Sequence, residues 1–204
     1  MITVPRLWPD QTVICLATGP SLTQADCDAV RGQRVIAIND AHRLAPWADV
    51  LYSSDRQWWP FYKGVPAFGG LKYGVGSLPG GSNPFHQCPD VQVLKNTGED
   101  GLELQPTGLK TYWNSGGAAI NLAVHLGAAR IVLLGYDMGG DHFFGAHPSR
   151  LNQQSPFRAF VRLMATMVEP LKALGVVMLN ASRQTALKCF PRVSLASALS
   201  AVAA

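Results

Sequence analysis

Residues 114–138 read Asn-Ser-Gly-Gly-Ala-Ala-Ile-Asn-Leu-Ala-Val-His-Leu-Gly-Ala-Ala-Arg-Ile-Val-Leu-Leu-Gly-Tyr-Asp-Met. Apolar residues at Ala118, Ile120, Leu122, Ala123 and Leu126 recur at roughly helical spacing, and Gly127 supplies a stop. The spacing predicts a helix over 115–126. Ile131 to Leu134 is then a short unbroken apolar run, as expected for a strand covered on both faces in a parallel sheet. It ends at Gly135, and Asp137 follows where the chain leaves the sheet. Helix followed directly by a fully apolar strand reads as α/β: a mostly parallel sheet flanked by helices. In such sheets anions gather at strand carboxyl ends and at helix N-termini, where free N–H groups and the helix dipole favour them. Asn114-Ser115-Gly116 and Tyr136-Asp137 occupy two such places.

A chain of 204 residues suits one domain, 1–204, with a sizeable core. Its 48% hydrophobic and 15% charged content describes a folded chain rather than a disordered one. No run of about 18 apolar residues is present, so no membrane span is expected. Met1 to Asp10 has two prolines and no long apolar core, unlike a signal peptide. Cys15, Cys27, Cys88 and Cys189 show no Cys-x-x-Cys spacing and read as reduced thiols of a cytoplasmic protein. Residues 1–136 hold ten basic and ten acidic side chains, whereas 137–204 hold seven and three. The whole excess of +4 therefore follows residue 136, a bias that suits an anionic ligand or nucleic acid.

Working outward, Thr12 to Ala17 reads as the first buried strand, followed by Thr18-Gly19-Pro20-Ser21-Leu22 and a short helix beginning near Thr23 and Asp26. Gly19 permits a close turn, Pro20 removes a donor that a helix start does not use, and Ser21 adds a hydroxyl beside unpaired N–H groups. This is the pattern of a phosphate-holding turn, without the spacing of a dinucleotide fingerprint or the Lys of a P-loop. Arg34 to Ile38 reads as a second strand ending at Asn39, and Val50 to Tyr52 as a third ending in Ser53-Ser54-Asp55. Three successive strands thus finish in small polar residues. Trp58, Trp59 and Phe61 either pave a base platform or pack a helix onto the sheet. Residues 63–113 are rich in Gly and Pro and read as an irregular insertion, a lid or acceptor loop, with Val91 to Leu94 its one legible strand.

Past the central stretch, Gly139 to Arg150 holds His142 and His147 on a loop just beyond a buried strand, where catalytic groups tend to sit. His147 is the candidate general base, with His142 and Arg150 as further catalytic candidates. Asp137, Asp141, His142 and His147 match no strong zinc pattern, so no metal is expected. Phe157 to Leu174 reads as one amphipathic helix, Val176 to Leu179 as a last strand closing at Asn180, and the Ala-rich tail from Ser194 as a weak helix.

Five of these segments, in this order, resemble the bacterial sialyltransferases that decorate lipooligosaccharide. Gly19-Pro20-Ser21-Leu22 resembles their Gly-x-Gly-Pro-Ser-Leu opening, and Asn39 their nucleotide-contacting Asn. Ser115-Gly116 through Gly135-Tyr136-Asp137 resembles their Thr-Ser-Gly, helix, strand, Gly-x-Asp segment. His142 to His147 is similar to their His-Tyr-x-Gly-His block, with Ala146 as one extra residue, and Asn180 to Leu187 to their closing Asn-Ser-Leu segment. Thr18 stands where that family has Asn, and Gly139 and Phe143 stand near its phosphate-holding tyrosines. The framework also resembles motility-accessory glycosyltransferases and 6-hydroxymethylpterin diphosphokinases, and the whole chain resembles short proteins of tailed phages and prophages.

The resemblance implies a Rossmann-like fold and a metal-independent, inverting glycosyltransferase. Its nucleotide-sugar donor would be held by Thr18, Gly19, Pro20, Ser21, Asn39, Ser53, Asp55, Asn114, Ser115, Gly116 and Asp137. His147 would be the base and no cofactor would be needed. The acceptor would be a hydroxyl on a hydroxymethylated viral DNA base or on a surface glycan. Two other readings stand beside it: a Mg-ATP diphosphokinase using Asp137 and Asp141, and a nucleotide- or DNA-binding module without catalysis.

Overall fold

The computed structural model describes residues 2–76, 85, 87–151 and 154–200. In chain order the elements are β1 (Thr12–Leu16), α1 (Gln24–Ala29), β2 (Arg34–Ile38), a 3-10 turn (Asn39–Arg43), β3 (Val50–Ser53), α2 (Trp58–Phe61), β4 (Leu71–Gly76), β5 (Val91–Asn96), β6 (Gly108–Leu109), α3 (Ser115–Leu126), β7 (Arg130–Leu134), α4 (Phe157–Ala165), α5 (Val168–Ala173), β8 (Val177–Asn180) and α6 (Leu195–Ser200). The strands form one sheet in the order β6-β5-β4-β3-β2-β1-β7-β8. Every pairing in it is parallel. It is an α/β, Rossmann-like fold.

Alternation along the strands divides the apolar residues between two cores. Val13, Cys15, Ile36, Tyr52, Ile131 and Leu133 face α3 and the Met164-Met167-Leu171 row of α4 and α5. Ile14, Leu16, Ala37, Leu51, Val132 and Leu134 face the other side, with Cys27 of α1, Trp58 and Trp59 of α2 and Ala198 of α6. Parallel strands need a crossover each time, and crossovers are right-handed. The chain steps from β1 outward to β6 with its early helices on one face, then returns through α3 to β7 on the other side of β1. The direction of travel reverses at β1 and β7. Their diverging connections open a crevice at the carboxyl edge, the usual ligand position in an open α/β sheet.

The expected helix 115–126 coincides with α3, and Gly127 closes it with a left-handed φ of 104°. The strands expected around residues 12, 34, 50, 91, 131 and 176 are all present. Two stretches differ. The segment 63–113 supplies three strands to the sheet, β4, β5 and β6, rather than one. The expected single helix over 157–174 is interrupted between α4 and α5. Pro170 has no N–H for the carbonyl of Thr166 and its ring crowds that group. Thr166 Oγ1 instead turns back to Leu163 O at 2.6 Å and accepts the Gly101 N–H at 2.8 Å. Trp58 and Trp59 are buried, which makes them core rather than platform. Residues 201–204 of the tail lie outside the described residues.

Candidate active site

Registers set the site. Leu16 pairs with Leu134 and Ala37, Ile38 with Tyr52, and Tyr52 with Tyr73, so the strand ends fall in one row. The residues that follow each strand, Thr18, Asn39, Ser54 and Asp137, therefore share one edge. A cavity of about 710 Å³ opens there, lined on successive elements by Thr18, Gly19, Asn39, Ser54, Asp55, Arg56, Trp113, Asn114, Ser115, Gly116, Asp137, Asp141, His142, His147, Phe157 and Phe160.

The turn after β1 is pinned to the end of β7. Gly19 N–H donates to Gly135 O at 2.9 Å. The Asp137 carboxylate accepts the backbone N–H of Ser21 at 2.8 Å and its hydroxyl at 2.7 Å. Arg183 holds the same turn from outside, reaching Thr23 Oγ1 at 3.2 Å and Asp26 at 2.8 Å. Ser21 is thus committed to Asp137 and does not line the cavity. Neither does Pro20, which lies beyond Gly19.

The start of α3 is fixed from both sides. Ser115 Oγ accepts the Ser54 N–H at 3.0 Å and shares a hydrogen bond with the Ser54 hydroxyl at 2.8 Å. Tyr136, fully buried at the end of β7, donates its hydroxyl to Gly116 O at 3.0 Å, and its ring leaves no room for a Cβ at Gly116. Asn114 caps the helix by accepting the Gly117 N–H at 2.7 Å. Ser115 and Gly116 then carry first-turn N–H groups that an α-helix leaves without internal partners. The lining includes three carboxylates, Asp55, Asp137 and Asp141, against the one guanidinium of Arg56 among the described residues. An anion bound here would depend on those N–H groups and the helix dipole.

The histidine loop docks on the same turn. Phe143 N–H donates to Thr18 O at 3.0 Å, and Thr18 Oγ1 lies 2.9 Å from His142 Nδ1. The His142 ring is stacked on Phe144 and stands 4.3 Å from that of His147, centroid to centroid. Burial, reinforced by the neighbouring His147, holds His142 below its ordinary value. His147 Nδ1 is buried with no hydrogen-bond partner among the described residues. The arrangement can take a proton from a group entering the cavity. No cluster of three or more His, Cys, Asp or Glu side chains suited to a metal occurs among the described residues.

Of the residues expected here, Thr18, Gly19, Asn39, Asp55, Asn114, Ser115, Gly116, Asp137, His142 and His147 line the cavity together. Pro20, Ser21, Ser53 and Arg150 do not. Ser53 is buried, and its hydroxyl accepts the Asp55 N–H at 3.1 Å. Its neighbour Ser54 takes the place expected for it, because successive strand residues point to opposite sides. Arg150 is exposed beyond the loop. Sequence reasoning passed over Trp113, Arg56, Phe157 and Phe160. The only signal at Trp113 was a large aromatic next to a helix cap.

No family model matches the chain, and no curated protein matches it in sequence. Among solved structures it is similar to the sialyltransferase CstII from Campylobacter jejuni, studied in complex with a substrate analogue, cytidine-5'-monophosphate. The TM-score is 0.56 at 13% identity, over 91% of this chain and 86% of that one. At that identity the likeness is one of fold. No helix among the described residues is long and apolar enough to cross a membrane.

Proposed function

We propose that the chain is a metal-independent glycosyltransferase that moves a sugar from a nucleotide-activated donor to a hydroxyl acceptor with inversion. The observation that carries this reading is the convergence, in one cavity at the β1/β7 switch point, of a helix N-terminus and a facing pair of histidines. The similar fold of a sialyltransferase studied with cytidine-5'-monophosphate supports it.

In this reading the donor phosphate rests on the N–H groups of Ser115 and Gly116, with Thr18, Gly19, Asn39, Asp55 and Asn114 around the rest of the donor. Asn39 Oδ1 is buried with no partner among the described residues, an acceptor free for a ligand N–H or O–H. His147 takes the proton of the acceptor hydroxyl. The acceptor oxygen forms its bond to the anomeric carbon as the bond from that carbon to the phosphate oxygen breaks. The electron pair leaves on the phosphate, where the start of α3 offsets the charge. A single direct displacement inverts the anomeric centre. Asp137 holds the Ser21 turn rather than the donor, and Arg150 is given no part.

A thermal-shift screen against CMP, UDP, GDP, ADP and their sugar conjugates, and against ATP, each with and without Mg²⁺, tests the reading. A ligand at a hundredfold excess over its dissociation constant stabilises the folded state by about 2.7 kcal/mol. A shift without metal names the donor. A shift with Mg-ATP alone moves the assignment to diphosphate transfer, and no shift with any of them removes it. His147→Ala is expected to abolish transfer and leave donor affinity unchanged; sustained turnover would take His147 out of the mechanism.

A further inference from the structure

Trp113 sits at the cavity two residues before α3, and half of it is exposed (50%). Among the described residues its indole stacks on no other ring and its Nε1–H has no hydrogen-bond partner. The other aromatic pair near the edge behaves in the opposite way: Trp58 and Trp59 are buried, with their indole N–H groups donating to Asp40 and to Ser53 O. An indole left open in a cavity wall is not explained by packing.

The backbone holds it there against its own preference. Tyr112 and Trp113 are both left-handed, with φ of 49° and 57°, a conformation that bulky side chains avoid. Tyr112 accounts for half of this: its ring is buried against Gly117 and its hydroxyl donates to Gly101 O at 2.6 Å. With Tyr112 turned under α3, the next side chain is turned out into the cavity. Strain kept at a cavity wall is a pointer to use.

The sheet order says what the indole would meet. Ser115 is tied to Ser54 at the end of β3, whereas His142 is tied to Thr18 at the end of β1, with β2 between them. A donor lying along this edge with its phosphate at the start of α3 must direct its sugar toward the histidines. Its nucleoside then lies on the far side of the phosphate, beside Trp113. We propose that Trp113 is the platform on which the donor's nucleobase stacks; this rests on the transferase reading above. A flat π face on an open indole is a sequence-tolerant contact, so the platform contributes affinity without selecting among the bases.

The test compares full-length wild type with Trp113→Ala and Trp113→Phe by calorimetric titration with CMP, UDP, GDP and ADP, and with ribose 5-phosphate, which has the sugar and phosphate but no base. Trp113→Ala is expected to weaken the tightest nucleotide by about 5- to 150-fold, the range for losing one base–aromatic stack. Trp113→Phe should recover most of that loss, and ribose 5-phosphate should bind all three proteins alike. Unchanged nucleotide affinity in Trp113→Ala overturns the platform and leaves the transferase reading standing. Equal weakening of nucleotide and ribose 5-phosphate also overturns it, because the base then makes no separate contribution. If wild type binds none of the nucleotides, the transferase reading fails and the platform with it. Because Trp113 is exposed, the unfolding midpoint of Trp113→Ala should match wild type and confirm that each comparison is of folded protein.

Discussion

Gly19 has no room for a side chain: a Cβ there would lie 2.4 Å from Asp137 Oδ1 and 2.5 Å from Gly135 O. The obstacle includes backbone, so Gly19→Ala must push the turn away from β7. It is expected to cost about 1–3 kcal/mol in urea unfolding and to weaken nucleotide binding. Asp137 is the partner in that turn, and Asp137→Asn replaces one acceptor oxygen with a donor facing Ser21. A loss of about 1–3 kcal/mol is expected, and an unchanged urea midpoint would remove Asp137 from its positioning role. The histidines add a pH dependence. Burial holds both His142 and His125 below 6.5 in the folded protein. The unfolded chain therefore takes up these protons first as the pH falls. Their contribution to stability is complete above 6.5 and is lost as the pH drops from 6.5 through their lower folded values. Urea midpoints should fall between about pH 7 and pH 5, and the fall should be smaller in His142→Asn. At this scale the sequence showed Gly19, His142 and His147 in their places, because a turn glycine and loop histidines are local signals. It set Ser21 and Ser53 at the cavity, which they do not line: Ser21 faces the Asp137 carboxylate that β7 brings beside it, and Ser53 points to the other side of its strand from Ser54.

Helix α3 is the element on which the site hangs, and eleven of its residues are buried. A helix covered all round shows only a weak apolar stripe, so its ends carried more information than its middle. Its buried polar residues are satisfied. Asn121 accepts from Glu103 N–H and Lys110 N–H and donates to Glu103 O, while His125 Nε2 lies 2.9 Å from Gly108 O. These bonds fasten the helix to β6 and to the chain before it, so the Asn114-Ser115-Gly116 end is held without help from a ligand. Asn114→Ala removes the cap and should cost about 1 kcal/mol. That loss should appear as a fall in Tm of about 2–4 °C. The break between α4 and α5 shows the limit of periodicity at this scale. The apolar row continues from Val161 through Met164 and Val168 to Leu171 across the interruption, because both pieces bury the same face. Pro170 carried the signal, and its effect falls a full turn upstream.

On the scale of the whole molecule, the site exists because the chain changes direction at β1. Strands β2 and β7 flank β1, and their connections leave on opposite faces. The central strands are covered on both faces, whereas β6 is a two-residue edge strand. Amide exchange followed by mass spectrometry should therefore find β1, β2 and β7 the slowest segments and β6 among the fastest. Two of the sheet's strands escaped the sequence for reasons that are themselves tertiary. Leu71 to Gly76 contains a lysine and two glycines and has no strand pattern. Yet Gly74 has no side chain because Phe85 and the Trp59 indole stand within about 3 Å of where its Cβ would be, and Lys72 is buried beside Asp90. What the sequence determined by itself was local: six apolar strands, a capped helix from 115 to 126, a tight turn at Gly19 and a histidine loop. Those follow from side-chain periodicity and from the special backbone freedom of glycine, both readable along a short window. What only the tertiary structure decided was adjacency. Ser21 meets Asp137 across 116 residues and Thr18 meets His142 across 124, because parallel pairing lines up strand ends that the sequence leaves unordered. Register and strand order are set by the burial of two whole faces at once, and no single segment carries that information.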